Sequence, residues 1–135
     1  MKILVVDDEE NIRGALSRSL LAEGYECKTV KNAYDAIRIF SKFKPEIVIT
    51  GFRMSGMGGI ELMKFIQNQN SKIPVILLSC HGELEIAIDA AALDAYAILH
   101  KPLDLDEILI TLGQISKEIN EEIGKLLRRG KWINE

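Results

Sequence analysis

The chain has 135 residues, of which 47% are hydrophobic and 27% are charged, and its formal net charge is -3. This length allows one domain with a substantial core, and the composition is typical of a globular protein. The acidic balance argues against direct nucleic-acid binding, and no apolar run of about eighteen residues predicts a membrane span. An acidic N-terminal segment and two cysteines without metal-ligand spacing, Cys27 and Cys80, favour a cytoplasmic protein.

Five apolar runs alternate with five amphipathic segments along the chain. Glu9 and Glu10 are expected in the first turn of the first helix, where the helix dipole favours acidic residues. Gly24 suits the left-handed position after that helix, and Asn32 predicts an N-cap for the next one. In chain order, the sequence predicts strands over 3–6, 25–30, 47–50, 75–78 and 96–99, and helices that contain residues 9–20, 33–40, 60–67, 83–93 and 105–119.

Strands that alternate with helices predict an α/β fold, a doubly wound parallel sheet of five βα units with a long C-terminal helix. In such sheets the functional groups lie at the carboxyl ends of the strands. Paired carboxylates suit Mg²⁺, while an ammonium and a hydroxyl can hold phosphoryl oxygens. The strand ends present these groups, with a glycine among them: Asp7, Asp8, Gly51, Ser79 and Lys101.

Each of these residues also has a purely structural interpretation. Asp7 and Asp8 could solvate a strand end and favour the start of the first helix. Lys101 could form an ordinary ion pair, and Ser79 could hydrogen-bond its own loop. Only the convergence of all four on one sheet edge favours a site for magnesium and phosphate.

Four motifs point to a known family: VVDDEE, IVITGFRMSGMGGIEL, VILLSCHG and AILHKPLD. With these motifs, residues 1–120 resemble the receiver domain of two-component response regulators. The resemblance implies a flavodoxin-like sheet of strand order 2-1-3-4-5. It also implies a magnesium site made of Asp7, Asp8 and the backbone carbonyl of Arg53, with Asp8 touching the metal directly.

The resemblance further assigns a switch that reports phosphorylation. Ser79 corresponds to the switch hydroxyl, and Lys101 to the phosphate-sensing lysine, which a cis peptide bond to Pro102 commonly follows. Gly51 stands where the family carries the aspartate that receives a phosphoryl group from a histidine kinase. Ile98 stands where the family carries a tyrosine or phenylalanine that swings inward on phosphorylation.

These two departures predict an atypical receiver. Glycine offers neither a nucleophilic oxygen nor a metal-binding side chain, so an aspartyl phosphate cannot form at residue 51. We therefore expect no enzymatic activity, weak magnesium binding at most, and a role as a protein-interaction or dimerisation module. The expected partners are a histidine kinase or another signalling protein.

Other interpretations of the sequence stay open. A different acceptor could replace the aspartate, although Ser55 has no evident base and Thr50 should point to the opposite face of the sheet. An aspartate at residue 51 could also have been replaced by engineering. The least supported alternative is a small flavodoxin-like binder of a phosphate ligand.

The C-terminal helix carries an apolar stripe that continues past residue 120. We therefore divide the chain into a receiver domain, residues 1–120, and an extension of the last helix with a tail, residues 121–135. A homodimer through the fourth helix, fifth strand and fifth helix is expected. The two histidines, His81 and His100, are expected to be exposed loop residues without a ligand role.

Overall fold

A five-stranded parallel sheet forms the centre of the protein in a computed structural model, which describes residues 1–80 and 94–133. The strand order is β2-β1-β3-β4-β5, so the predicted flavodoxin-like α/β class is confirmed. The helix predicted over 83–93 lies outside the described residues, and the helix after β5 is numbered α4. The elements are β1 (Lys2–Val6), α1 (Glu10–Ala22), β2 (Glu26–Val30), α2 (Ala33–Phe43), β3 (Ile47–Gly51), α3 (Gly59–Gln69), β4 (Val75–Ser79), β5 (Ala97–His100) and α4 (Leu105–Ile133).

The strands β3 and β4 are buried along their whole length, whereas the edge strand β2 is partly exposed. Strands that are covered on both faces need apolar side chains at every position, which explains the continuous apolar runs of the sequence. The register pairs Val6 with Thr50, Gly51 with Leu78 and Ser79 with His100. The carboxyl ends of these strands therefore lie along one edge of the sheet.

The core lies in the first of two compact units, residues 1–105. Side chains from β1, β3 and β4 pack there against the buried face of α3. Full burial of one such aliphatic side chain stabilises the fold by about 1.5–3 kcal/mol. The main contributors are Leu4, Val48, Leu77, Leu62, Met63 and Ile66.

The second compact unit begins at Asp106 and contains most of α4. Ile108, Leu112 and Ile115 are buried, as the predicted stripe requires. Further along the same stripe, Ile123 is 47% exposed and Leu126 is 54% exposed. The apolar stripe therefore continues onto an exposed surface, while the proposed domain boundary at residue 120 stays a prediction.

Local details agree with most of the predicted boundaries. Asn32 Oδ1 accepts a hydrogen bond from the Asp35 amide at 2.8 Å, which confirms the N-cap of α2. Gly24 has a φ of +89°, as expected after α1, and the peptide bond between Lys101 and Pro102 is cis. The strand bounds differ from the prediction by one residue in the central strands β1, β3 and β4 as well as in the edge strands β2 and β5. Within residues 1–80 and 94–133, no helix is both long and apolar enough to cross a membrane.

Candidate functional site

Three residues predicted for the site meet at the carboxyl edge of the sheet. Asp7 follows β1, Gly51 ends β3 and Lys101 follows β5. Lys101 Nζ lies 3.0 Å from Asp7 Oδ2. A Cβ atom added to Gly51 would lie 2.9 Å from the same oxygen. The three residues therefore share one small pocket, which is centred on Asp7 Oδ2.

Asp7 is fully buried and is held from several directions. Its amide donates to the Val30 carbonyl at 3.2 Å, and its carbonyl accepts from Arg13 Nη1 at 2.9 Å. Its Oδ1 accepts from the Glu9 amide at 2.9 Å. Although Oδ2 is close to Lys101, it has no hydrogen bond of good geometry to any residue that the structure describes. The carboxylate is thus oriented through Oδ1, while Oδ2 is only partly satisfied.

Burial and ion pairing act in opposite directions on the two charged groups. Burial raises the pKa of the Asp7 carboxyl above its ordinary value, although the Glu9 amide and the Lys101 ammonium oppose this effect. Burial lowers the pKa of Lys101, but its pairing with the Glu9 and Asp7 carboxylates outweighs this effect and raises the pKa overall. The stability that Lys101 contributes is therefore fully present below the ordinary lysine pKa of about 10.4 and is lost only above the raised value.

Substitution of Asp7 by asparagine should stabilise the protein at pH 7 by about 1 kcal/mol, the scale of one poorly satisfied buried polar group. Because the pKa of Asp7 is raised in the folded state, the carboxylate costs stability as the pH rises from about 3.9 through the folded pKa. Urea unfolding without magnesium between pH 3 and pH 7 measures this cost. The advantage of Asp7→Asn should vanish at the acidic end.

The matched control is Asp8→Asn, which removes the same charge from an exposed side chain. It should change the free energy of unfolding by less than about 0.5 kcal/mol at any pH, as surface substitutions usually do. The prediction would be contradicted if Asp7→Asn differed from the unaltered protein by the same free energy of unfolding at every pH. The difference would then not come from the buried charge of Asp7.

Glu9 is a member of the site that the sequence analysis did not identify. We predicted it in the first turn of the first helix, but α1 begins at Glu10 and Glu9 is the N-cap residue. Its side chain turns to Lys101 instead of capping the helix, and its Oε2 lies 2.5 Å from Lys101 Nζ. The acidic run VVDDEE was the available signal, but spacing alone could not show which acid meets the lysine.

The loop between β3 and α3 closes tightly around Gly51. The Gly59 amide donates to the Phe52 carbonyl at 2.9 Å, and a Cβ at Gly59 would overlap the Gly51 carbonyl oxygen. Thr50 is buried, and its hydroxyl donates to the same Gly51 carbonyl at 3.1 Å. The expectation that Thr50 is a poor phosphoacceptor stays a prediction. Residue 59 must therefore be glycine, because main-chain atoms fill the space beside it.

The two predicted switch positions have different surroundings. Ser79 is fully buried, and its Oγ lies 3.0 Å from His100 Nδ1. Ile98 is partly buried and packs against the core cluster. The expectation that His100 is a loop residue was wrong, because it is the last residue of β5, whereas His81 lies outside the described residues. Ser79 therefore has a hydrogen-bond partner that the sequence analysis missed.

The donors at this edge suit a magnesium ion. Mg²⁺ usually keeps several waters and takes one or two carboxylates from the protein. Asp7 provides a buried oxygen without a well-directed hydrogen bond, while Asp8 and Arg53 are exposed in the neighbouring loops. In residues 1–80 and 94–133, no three His, Cys, Asp or Glu side chains come together as a metal cluster. The set therefore fits a hydrated magnesium ion and lacks the ligands for a fully enclosed metal.

Comparisons with known proteins agree on one family. A family model described as "Response regulator receiver domain" matches residues 3–112. Sporulation initiation phosphotransferase F of Bacillus subtilis (strain 168) is 36% identical, over 79% of this chain and 86% of that protein. Regulatory protein AtoC of Escherichia coli (strain K12) is 32% identical, over 97% of this chain. The chain spans 30% of the length of AtoC.

Solved structures agree with these matches. A response regulator receiver domain protein from Clostridium thermocellum superposes with a TM-score of 0.80 at 32% identity, covering 93% of this chain and 98% of that one. NtrX from Brucella abortus, solved in complex with ADP, gives a TM-score of 0.84 at 29% identity and covers 93% of this chain. This chain corresponds to 29% of the NtrX chain.

Proposed function

Because the chain belongs to the family of response regulator receiver domains, we propose that it is an atypical receiver that works without an aspartyl phosphate at residue 51. It serves two-component signalling as a module that binds other proteins, and it is not an enzyme. The observation that carries this proposal is Gly51 at the end of β3, beside Asp7 and Lys101.

The chemistry of the pocket supports this proposal. Phosphoryl transfer to a receiver needs a nucleophilic oxygen, and glycine has none to offer. The Asp7 carboxylate lies against the position that a side chain at residue 51 would occupy. The ammonium of Lys101 is already paired with Asp7 and Glu9. Because these two carboxylates already balance the charge of Lys101, a phosphoryl group is not required to stabilise the pocket.

The same pocket is proposed to bind magnesium weakly. Asp7 and Asp8 supply two carboxylates, and the backbone carbonyl of Arg53 is the third proposed ligand. Bound magnesium would neutralise negative charge at this edge of the sheet. Binding is weak because the third carboxylate is missing and because Lys101 competes for Asp7.

The proposed partners are a histidine kinase or another protein of the same signalling pathway, in the cytoplasm. The Bacillus subtilis relative is named a phosphotransferase, and the alignment covers most of that protein, which supports a place within a phosphorelay. A homodimer is also proposed, through the predicted helix over 83–93, β5 and α4. Exposed apolar side chains on α4 support such a contact, namely Ile110, Ile123, Leu126 and Leu127.

Incubation with magnesium and acetyl phosphate tests the central claim. We expect the intact mass to stay unchanged, because no carboxylate is present at residue 51. Circular dichroism before and after the incubation verifies that the protein stays folded. Uptake of one phosphoryl group by the unaltered protein would overturn the proposal. Mapping that group to Ser55, which is exposed in the loop after β3, would favour a receiver with a different acceptor.

A further inference from the structure

The Lys101 ammonium lies between two carboxylates in different environments. Its Nζ is 2.5 Å from Glu9 Oε2, on a side chain that is 55% exposed. The same Nζ is 3.0 Å from Asp7 Oδ2, on a side chain that is fully buried. The shorter contact is therefore made with the more exposed acid.

The two carboxylates also differ in whether they accept a hydrogen bond from Lys101. Lys101 donates a hydrogen bond to Glu9, whereas Asp7 Oδ2 has none of good geometry to any described residue. Charge-assisted hydrogen bonds are short and directional, so the ammonium is oriented by Glu9. Asp7 Oδ2 is buried, and glycine at residue 51 places no polar side chain against it.

An ammonium and a divalent cation compete for one carboxylate oxygen, since two positive charges at contact distance repel each other. A receiver with an aspartate at residue 51 would have a further carboxylate to separate them. This chain has glycine there, so only another acid can draw the lysine aside. Glu9 is the acid in contact with Lys101 that is not one of the proposed metal ligands.

We infer that Glu9 is a positioning residue that shares the Lys101 ammonium and limits its pairing with Asp7 Oδ2, so that this oxygen can accept a divalent cation. Glu9 acts through Lys101 and does not bind the metal itself. This inference rests on the proposed magnesium binding at Asp7 and Asp8. It states that Glu9, in the loop between β1 and α1, controls the affinity of that site for the cation.

A magnesium titration followed by the backbone amide signals of Asp8 and Gly51 tests the inference. Glu9→Gln keeps the shape of the side chain and removes its charge, so the Lys101 ammonium should pair with Asp7 alone. We expect magnesium affinity to fall about tenfold, the lower end of the effect of residues that orient metal ligands. Glu10→Gln is the matched control, because it removes the same charge from the neighbouring residue and should change affinity by less than about twofold.

A double-mutant cycle separates positioning from direct ligation. In a Lys101→Met background no ammonium competes for Asp7, so Glu9→Gln should no longer weaken magnesium binding. An equal loss in both backgrounds would mean that Glu9 binds the metal, and it would overturn the inference. Unchanged affinity in Glu9→Gln would overturn it as well, while leaving the magnesium proposal intact. No magnesium binding in the unaltered protein would overturn both.

A second measurement does not depend on the stability of the Lys101→Met variant. In the unaltered protein, the ¹⁵N-labelled ammonium of Lys101 should stay observable by NMR at saturating magnesium, because its hydrogen bond to Glu9 persists. Its disappearance on magnesium addition would show that the metal displaces the lysine from both acids, which contradicts the inference.

Discussion

The Gly51→Asp protein should take up one phosphoryl group from acetyl phosphate in the presence of magnesium, whereas the unaltered protein takes up none. An aspartate at the end of β3 supplies the missing nucleophilic oxygen next to Asp7 and Lys101. Its Cβ would lie 2.9 Å from Asp7 Oδ2, the far end of a side chain, so a small shift of that carboxylate makes room. Lys101 can then hold the phosphoryl oxygens as charge develops on them.

Intact mass measures the uptake, and treatment with hydroxylamine should remove the group, as expected for an acyl phosphate. Gly51→Asn is the matched control, because asparagine has the same size and shape but no nucleophilic carboxylate. A Gly51→Asp protein that stays folded, binds magnesium and takes up no phosphoryl group would show that the chemistry was lost elsewhere in the pocket, with Glu9 and Ile98 as the first positions to test.

The same substitution should lower stability in the absence of magnesium. Two carboxylates about 4 Å apart repel by about 4 kcal/mol at an effective dielectric constant near 20, and Lys101 offsets only part of this cost. The Gly51→Asp protein is therefore expected to be less stable than Gly51→Asn without magnesium and to gain more stability when magnesium is added. Thermal unfolding with and without magnesium compares the two variants.

Lys101→Met should destabilise the protein by about 3 kcal/mol at pH 7, because the buried Asp7 carboxylate loses the cation it is paired with, whereas Lys101 keeps Glu9 when Asp7 is replaced. The Lys101 side chain is only 12% exposed, and Asp7 beside it is fully buried. Methionine keeps the length of the side chain, so most of the loss reflects charge. The cost should change little with salt, since buried pairs are screened much less than exposed ones.

Combination with Asp7→Asn identifies where this energy resides. The loss of stability in Lys101→Met is expected to come from the unpaired, buried Asp7 carboxylate. The double variant should therefore recover at least about 1.5 kcal/mol of the lost stability, within the usual coupling range of residues in contact. Combination with Glu9→Gln should recover much less, because the Glu9 side chain is more than half exposed and is screened by solvent. Equal recovery from both partners would contradict the central position of Asp7 in the pocket.

Much of the fold could be predicted because apolar runs and helical spacing reflect burial directly. The continuous run from Ile47 to Thr50 predicted a central strand, and β3 is buried at every position. The bounds of all five strands differ from the prediction by one residue, because the terminal residues of an element carry the weakest pattern. The apolar stripe of α4 was expected to continue past the part that covers the sheet, and its side chains change from buried at Ile115 to 47% exposed at Ile123.

The site could be predicted only at the level of strand ends. The rule that ligands bind at the carboxyl edge of a parallel sheet selected Asp7, Gly51 and Lys101 correctly as neighbours. The contact between Glu9 and Lys101 joins residues 92 positions apart and depends on side-chain conformations. The bond between Ser79 and His100 likewise depends on the β4–β5 register, which single-sequence patterns do not fix.

Gly51 and Gly59 should differ in how freely they are replaced as the sequence evolves. The neighbours of Gly59 are main-chain atoms, which no single replacement elsewhere can remove, so selection for a folded chain holds this position fixed. The nearest neighbour of Gly51 is the end of a side chain, which can yield. Residue 51 can therefore drift among small side chains while the scaffold persists, and signalling chemistry can be lost or regained there without a new fold.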